Sequence, residues 1–333
     1  MRFQRARAAW LAVAMTLAMG AGAGQAMAAP PMVLATTGMI GDTVASLGGE
    51  CIDVEVLMGP GVDPHLFQAS AADVRAFQKA ALIVFNGYEL EGQLDNVLTR
   101  VGERRPTLAL AEAASEEGPV ESMRGSDGYS VDPHLWMDAA LWAQGVTPLA
   151  GMLTDIVPGC AAAINDRAET LNRQLRALDD WIRARIASIP EPQRVLLTAH
   201  DAFRYYARAY DIDVRGIQGI STSAEASVAD IQDTAAFIAE RGIPAIFVET
   251  TINPRTVQAV VEAARQRSAE VAIGGSIHGD ALGEPGTLAD SLIGMLIHNT
   301  AQITRALGGT MAPLPAALAP WQGSLDARQM SGG

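Results

Sequence analysis

Eight short apolar runs, each bounded by turn residues, recur along this chain in two groups of four. The first group is MVLATT from Met32, VEVLMG from Val54, ALIVFNG from Ala81 and TLALAE from Thr107. The second is RVLLTAH from Arg194, VRGIQGI from Val214, AIFVETT from Ala245 and VAIGGSI from Val271. Each run is continuous rather than alternating, the pattern of a strand buried on both faces. Helical patterns lie between most of them, as at Ala69–Ala80, Val228–Arg241 and Asn253–Arg267. Alternating strands and helices demand parallel sheets with right-handed crossovers. The expected class is therefore α/β: two similar lobes, each a four-stranded parallel sheet with flanking helices.

Between the two groups, Ala161 to Ser188 contains neither Gly nor Pro. Ile164, Leu171, Leu175, Leu178, Ile182 and Ile186 form an apolar stripe at helical spacing. Pro158-Gly159 stand before it, and Pro190 and Pro192 after it. One helix of roughly 42 Å at 1.5 Å per residue would join the lobes rigidly. The expected boundaries are an N-terminal lobe over 29–159, the linking helix over 160–189 and a C-terminal lobe over 190–308. The acidic stretch Glu112–Tyr129 reads as an exposed loop, and 309–333, rich in Ala, Pro and Gly, as a loose tail.

Residues 1–28 read as a secretory signal peptide. Arg2, Arg5 and Arg7 precede an apolar run, and Ala26-Met27-Ala28 forms a small-x-small cleavage site. Cleavage would remove three Arg and no acid, taking the net charge from −13 to −16. Such acidity excludes a nucleic-acid binder, which needs a basic face toward phosphates. No later apolar run is long enough to span a bilayer, so no membrane insertion is expected. The compartment implied is the periplasm. No Cys precedes Cys51, so no thiol is available for a lipid anchor. Cys51 and Cys160 stand 109 positions apart, and an oxidising compartment permits but does not require their pairing.

The five histidines are informative by position. Asp-Pro-His occurs twice, as Asp63-Pro64-His65-Leu66-Phe67 after the second run and Asp132-Pro133-His134-Leu135-Trp136 after the fourth and its acidic loop. His200 follows RVLLTA directly, and Asp280 follows VAIGGSIHG. All four stand beyond carboxyl ends of expected parallel strands, where open α/β sheets place ligand groups. Facing lobes would bring His65, His134, His200 and Asp280 together. Three imidazoles and a carboxylate suit a divalent transition metal. Four protein ligands leave no position for a catalytic water, which favours binding over catalysis. His278 is the competing candidate beside Asp280. His298 sits in a helical pattern and reads as a packing residue.

At these residues the chain resembles the zinc/manganese solute-binding proteins of ATP-driven (ABC) importers, often called cluster A-I. The blocks that carry the resemblance are GDTVASLGGECIDVEVLMGPGVDPHLFQAS, DPHLWMD, LLTAHDAFRYYARAYDIDVRGIQGISTSAEASVADI, IFVETTINPRTVQAV and DALGEPGTLADSLIGMLIHNT. It implies two α/β lobes on one long helix and the ligand set His65, His134, His200 and Asp280. A Glu replaces the third His in many manganese binders of the family. His200 there points to the three-His-plus-Asp subgroup, in which both zinc and manganese binders occur. The His-rich loop of many zinc specialists is missing from Glu112–Tyr129. The implied cargo is one Zn2+ or Mn2+, and the implied partner an ABC-importer membrane permease met by transient docking of a monomer.

The alternative from another class is a secreted metallohydrolase with Glu249, at the end of IFVET, as general base. The competing reading of Glu249 is a carboxylate that orients a ligand imidazole. Neither an HExxH nor a nucleophile elbow is present.

Overall fold

The computed structural model describes residues 29–116, 120 and 130–331. The expected signal peptide and positions 117–119 and 121–129 of the expected acidic loop lie outside the described residues.

All eight runs form strands: β1 (Met32–Thr37), β2 (Asp53–Met58), β3 (Leu82–Phe85), β4 (Thr107–Ala109), β5 (Val195–Thr198), β6 (Asp213–Gly216), β7 (Ala245–Glu249) and β8 (Ala272–Ile277). The helices of the first half are α1 (Gly38–Gly48), α2 (Ala71–Lys79), α3 (Asp95–Gly102), α4 (Leu110–Ala114), α5 (Ala139–Trp142) and α6 (Val146–Ile156). Then come α7 (Ala161–Ile186), α8 (Arg204–Tyr210), α9 (Val228–Arg241), α10 (Arg255–Gln266), α11 (Leu292–Ala306) and α12 (Ala319–Ser331). The fourth apolar run is a strand only as far as Ala109; helix α4 then takes up Glu112, which the sequence assigns to an irregular loop.

The first half is a four-stranded parallel sheet in the order β2-β1-β3-β4, with Val33 opposite both Val54 and Leu82. The second half also has four parallel strands, but laddered as two pairs, β5–β6 and β7–β8, with β5 running beside β7. Where those pairs meet, the His200 N–H bonds to the Glu249 carboxylate at 2.8 Å instead of to a strand carbonyl. Burial on both faces holds for the interior strands β1, β3, β5 and β7. It is corrected for β2, β4, β6 and β8, which each pair with a neighbour on one side only and whose residues are mostly half-buried or exposed.

Helix α7 has 26 residues, about 39 Å at 1.5 Å per residue. All six residues of its expected stripe are buried, joined by Ala168 and Trp181. Its first turns are tied to the N-terminal half. Arg167 donates to the carbonyls of Leu47 at 2.6 Å and Gly48 at 2.7 Å, which end α1 and lack helical partners. Cys51 and Cys160 are joined in a disulfide, with Cα atoms 6.4 Å apart. One apolar cluster runs through both halves and the helix, including Val33, Trp136, Trp142, Leu178, Phe203, Phe247 and Leu296.

The expectation of a loose tail over 309–333 is corrected. Leu318, Trp321 and Leu325 recur at spacings of three and four, and Leu318 and Leu325 are buried. The Trp321 indole N–H donates to Ser291 Oγ at 3.1 Å. Ala, Leu, Gln and Arg favour helix despite the neighbouring Pro and Gly, and Pro320 falls in the first turn, where no N–H is needed. Among the described residues no helix is long and apolar enough to cross a membrane.

Candidate metal centre

The repeated tripeptide folds the same way twice. Asp63 Oδ1 accepts the His65 backbone N–H at 2.9 Å, and Asp132 Oδ1 accepts that of His134 at 3.0 Å. Each Asp thus closes a turn over its Pro and aims the following imidazole. In the second copy Asp132 Oδ1 also meets His134 Nδ1 at 2.7 Å. That bond assigns a proton to Nδ1, so that the ring, once neutral, presents its Nε2 lone pair inward.

His200 leaves β5 and is held by Glu249 at the end of β7, which meets Nδ1 at 2.8 Å and the backbone N–H at 2.8 Å. Asp280 follows β8. The Trp136 indole N–H donates to the Gly279 carbonyl at 3.0 Å, fixing the backbone just before it. A Cβ on Gly279 would lie 2.3 Å from Glu249 Oε2 and 3.1 Å from His200 Cε1, so only glycine lets this segment pass so close.

The structure brings the four expected residues together. One ligand atom from each of His65, His134, His200 and Asp280 lies within 4.8 Å of the others, and all four residues are buried. Asp280 is the hub: its oxygens stand 3.6 Å from His65 Nε2, 3.3 Å from His134 Nε2 and 3.0 Å from His200 Nε2. A tetrahedron with ligands at 2.0–2.1 Å has edges of about 3.3 Å, and the separations, from Oδ2 to His65 and His200 and from Oδ1 to His134, lie close to that length.

Electrostatics distinguish the imidazoles. Burial takes His65 down to about 3, and the neighbouring imidazoles add to this against the pull of Asp280. Burial also opposes charge on His134, but Asp132 and Asp280 outweigh it and carry the ring up to about 9. His200 is likewise raised well above its ordinary value by Asp280 and Glu249, against burial. Burial would raise Asp280, yet His200 and His134 hold it well below the usual carboxylate range. This buried, mutually compensating set of N and O donors fits a divalent transition ion.

His278 lies outside the converging set. Its N–H donates to Asn299 Oδ1 at 2.9 Å, its carbonyl accepts from Asn299 Nδ2 at 2.7 Å, and its Nδ1 lies 3.3 Å from Thr250 Oγ1. His298 packs on it at 5.2 Å and meets the Ser276 carbonyl at 2.9 Å. Glu249, the candidate base of the metallohydrolase alternative, has both oxygens engaged on His200 and acts as its orienting carboxylate. Sequence reasoning passed over the roles of Asp63, Asp132 and Trp136. Their signal was present, because each belongs to the two repeated blocks.

A family model described as zinc-uptake complex component A, periplasmic, matches residues 33–306. The manganese-binding lipoprotein MntA of Bacillus subtilis (strain 168) is 38% identical over 275 residues, 83% of this chain and 89% of that protein. The zinc-binding protein TroA of Treponema pallidum (strain Nichols) is 40% identical over 277 residues, with the same two coverages. The solved structure of periplasmic zinc-binding protein TroA superposes with a TM-score of 0.80 at 39% identity, covering 84% of this chain and 99% of that one. These matches bear out the resemblance drawn from the histidine blocks and the two-lobe architecture around one helix. The chain belongs to the zinc-uptake complex component A family of periplasmic metal-binding proteins.

Proposed function

We propose that the protein is a periplasmic solute-binding protein whose His65, His134, His200 and Asp280 capture one divalent transition ion, Zn2+ or Mn2+, in the cleft between its halves. The observation that carries this reading is the convergence of three buried imidazoles and one buried carboxylate, one donor atom each within 4.8 Å. Carboxylates behind two of the imidazoles set ring orientation, as ion ligands require. Family membership supports the onward step, delivery of the ion to the membrane permease of an ABC importer. We read the carrier as a monomer that docks transiently on that permease, with Cys51 held in a disulfide to Cys160. It has no catalytic role in this reading, since Glu249 is committed to His200.

The test is competition titration of Zn2+ and Mn2+ against a chromophoric chelator. One ion per chain is expected, with affinity lowered at least about a hundredfold by His65→Ala or His134→Ala, since no packing replaces a lost ligand. His278→Ala should stay within about threefold of the parent. Unchanged affinity in both ligand variants would overturn the assignment.

A further inference from the structure

The two Asp-Pro-His turns differ in the second bond that their Asp makes, which in the His134 copy uses the same oxygen, Oδ1, as the first. In the His134 copy Asp132 serves its own imidazole. In the His65 copy the other oxygen of Asp63 leaves the turn and accepts the Thr222 hydroxyl at 2.6 Å. Thr222 belongs to the opposite half, in the segment between β6 and α9. We infer that the Asp63–Thr222 hydrogen bond is a latch across the cleft, and that Thr222 is a positioning residue governing how fast the ion leaves.

Three observations support the assignment. First, both sides are anchored to ion ligands. Asp63 Oδ1 holds the His65 N–H. The Thr222 segment runs along the His200 strand exit, where Gln218 N–H bonds to the Ala199 carbonyl at 2.9 Å and Asp201 N–H to the Gly219 carbonyl at 3.2 Å. The latch therefore joins the His65 arm to the segment presenting His200. Second, Thr222 is pre-set for the contact. Ser221 Oγ donates to Ser223 Oγ at 2.8 Å and accepts the Ser223 N–H at 3.2 Å, closing a small turn around it, and Thr222 is buried. Third, the His65 arm has a built-in pivot. It begins at Gly59 and Gly61, where an added side chain would meet open space, and Gly61 has φ +72°. It ends at Ser70, fixed by the capping box of α2 with Asp73. Opposite it, the His134 segment is braced through backbone and rings: Tyr205 donates to the Asp132 carbonyl at 3.0 Å and Trp136 to the Gly279 carbonyl at 3.0 Å. The His65 arm thus lies between this pivot and the charge-assisted bond to Thr222, so that one bond governs its opening.

This inference rests on His65 being a ligand, and the experiment separates the two. Zn2+-loaded protein is mixed with excess chelator in a stopped-flow instrument, and the association rate is measured separately. Thr222→Val, which keeps the shape and removes the donor, should speed dissociation about tenfold or more, as loss of a bond to a charged group implies. Its association rate and metal-free unfolding midpoint should stay near the parent's. Thr222→Ser should restore slow dissociation. A Thr222→Val dissociation rate within twofold of the parent, with His65→Ala abolishing tight binding, would overturn the latch alone. Intact binding in His65→Ala would overturn the ligand assignment beneath it.

Discussion

Glu249 grips His200 with both carboxylate oxygens, one at 2.8 Å on the ring Nδ1 and the other at 2.8 Å on the backbone N–H. The imidazole is thereby fixed in tautomer and direction from a different strand. Glu249→Gln retains a backbone acceptor but loses the charge behind the ring. Ion affinity should fall about 10–100-fold while the fold persists, as read by competition titration and circular dichroism. Gly279→Ala should act on the same contact by pushing Glu249 aside, and should weaken binding in the same assay. Parental affinity in both variants would mean that this carboxylate does not tune the site.

Proton competition should extend well above the range of an ordinary histidine. His134 holds its proton up to about 9 in the metal-free protein, and His200 is raised as well. Both must be neutral to bind an ion, so loading at pH 7 expels protons. Affinity should rise with pH from 6 to 8 by about tenfold or more per unit. His65, brought down to about 3, contributes nothing to that slope. Calorimetric titration in buffers of different ionisation enthalpy counts the released protons, and a count near zero at pH 7 would contradict this balance.

The disulfide should matter for stability and little for the ion. It closes a loop of 109 positions, for which chain-entropy reasoning gives about 4–5 kcal/mol. It lies at the junction of the first lobe with α7. Paired Cys51→Ser and Cys160→Ser substitutions should lower the urea midpoint clearly and leave Zn2+ affinity within about threefold. A large loss of affinity would show that the covalent tie also shapes the cleft.

A buried carboxylate away from the four converging residues gives the metal-free protein a pH-dependent stability. Glu91 accepts from Thr36 Oγ1 at 2.7 Å and the Asn86 N–H at 2.7 Å, and burial pushes it from 4.5 up to about 7 despite those bonds. The native state therefore holds this proton more tightly than the unfolded chain. Its contribution is full below about pH 4.5 and is lost as pH rises toward 7, by on the order of 3 kcal/mol. Glu91→Gln should flatten that part of the profile in urea unfolding at pH 5 to 8. A slope identical to the parent's would assign the dependence elsewhere.

Strand positions were legible because the apolar runs are short, continuous and bounded by turns. The six-residue stripe of α7 was legible because nothing in it breaks a helix. The four converging residues could be read from their places at strand ends. Less could be read where meaning depends on a partner far away in the chain. Cys51 offers no local hint of Cys160, nor Asp63 of Thr222, because the same tripeptide yields two different second bonds. The tail was misread for a different reason: its Ala, Pro and Gly dominate the composition, while three well-spaced side chains decide the fold. Exposure of β2 and β8 likewise follows from sheet order, which no single run contains.

The apolar cluster that threads both halves and α7 has a mechanical consequence. Swinging the halves apart as rigid bodies would tear open a continuous interior and wet it, at roughly 25 cal/mol for every Å2 exposed. A carrier with this interior is expected to exchange its ion by local movement at the cleft rather than by parting of its halves. A membrane partner that must tell a loaded carrier from a spent one therefore has little global shape to read, and the decision falls to a few residues at the lip of the cleft.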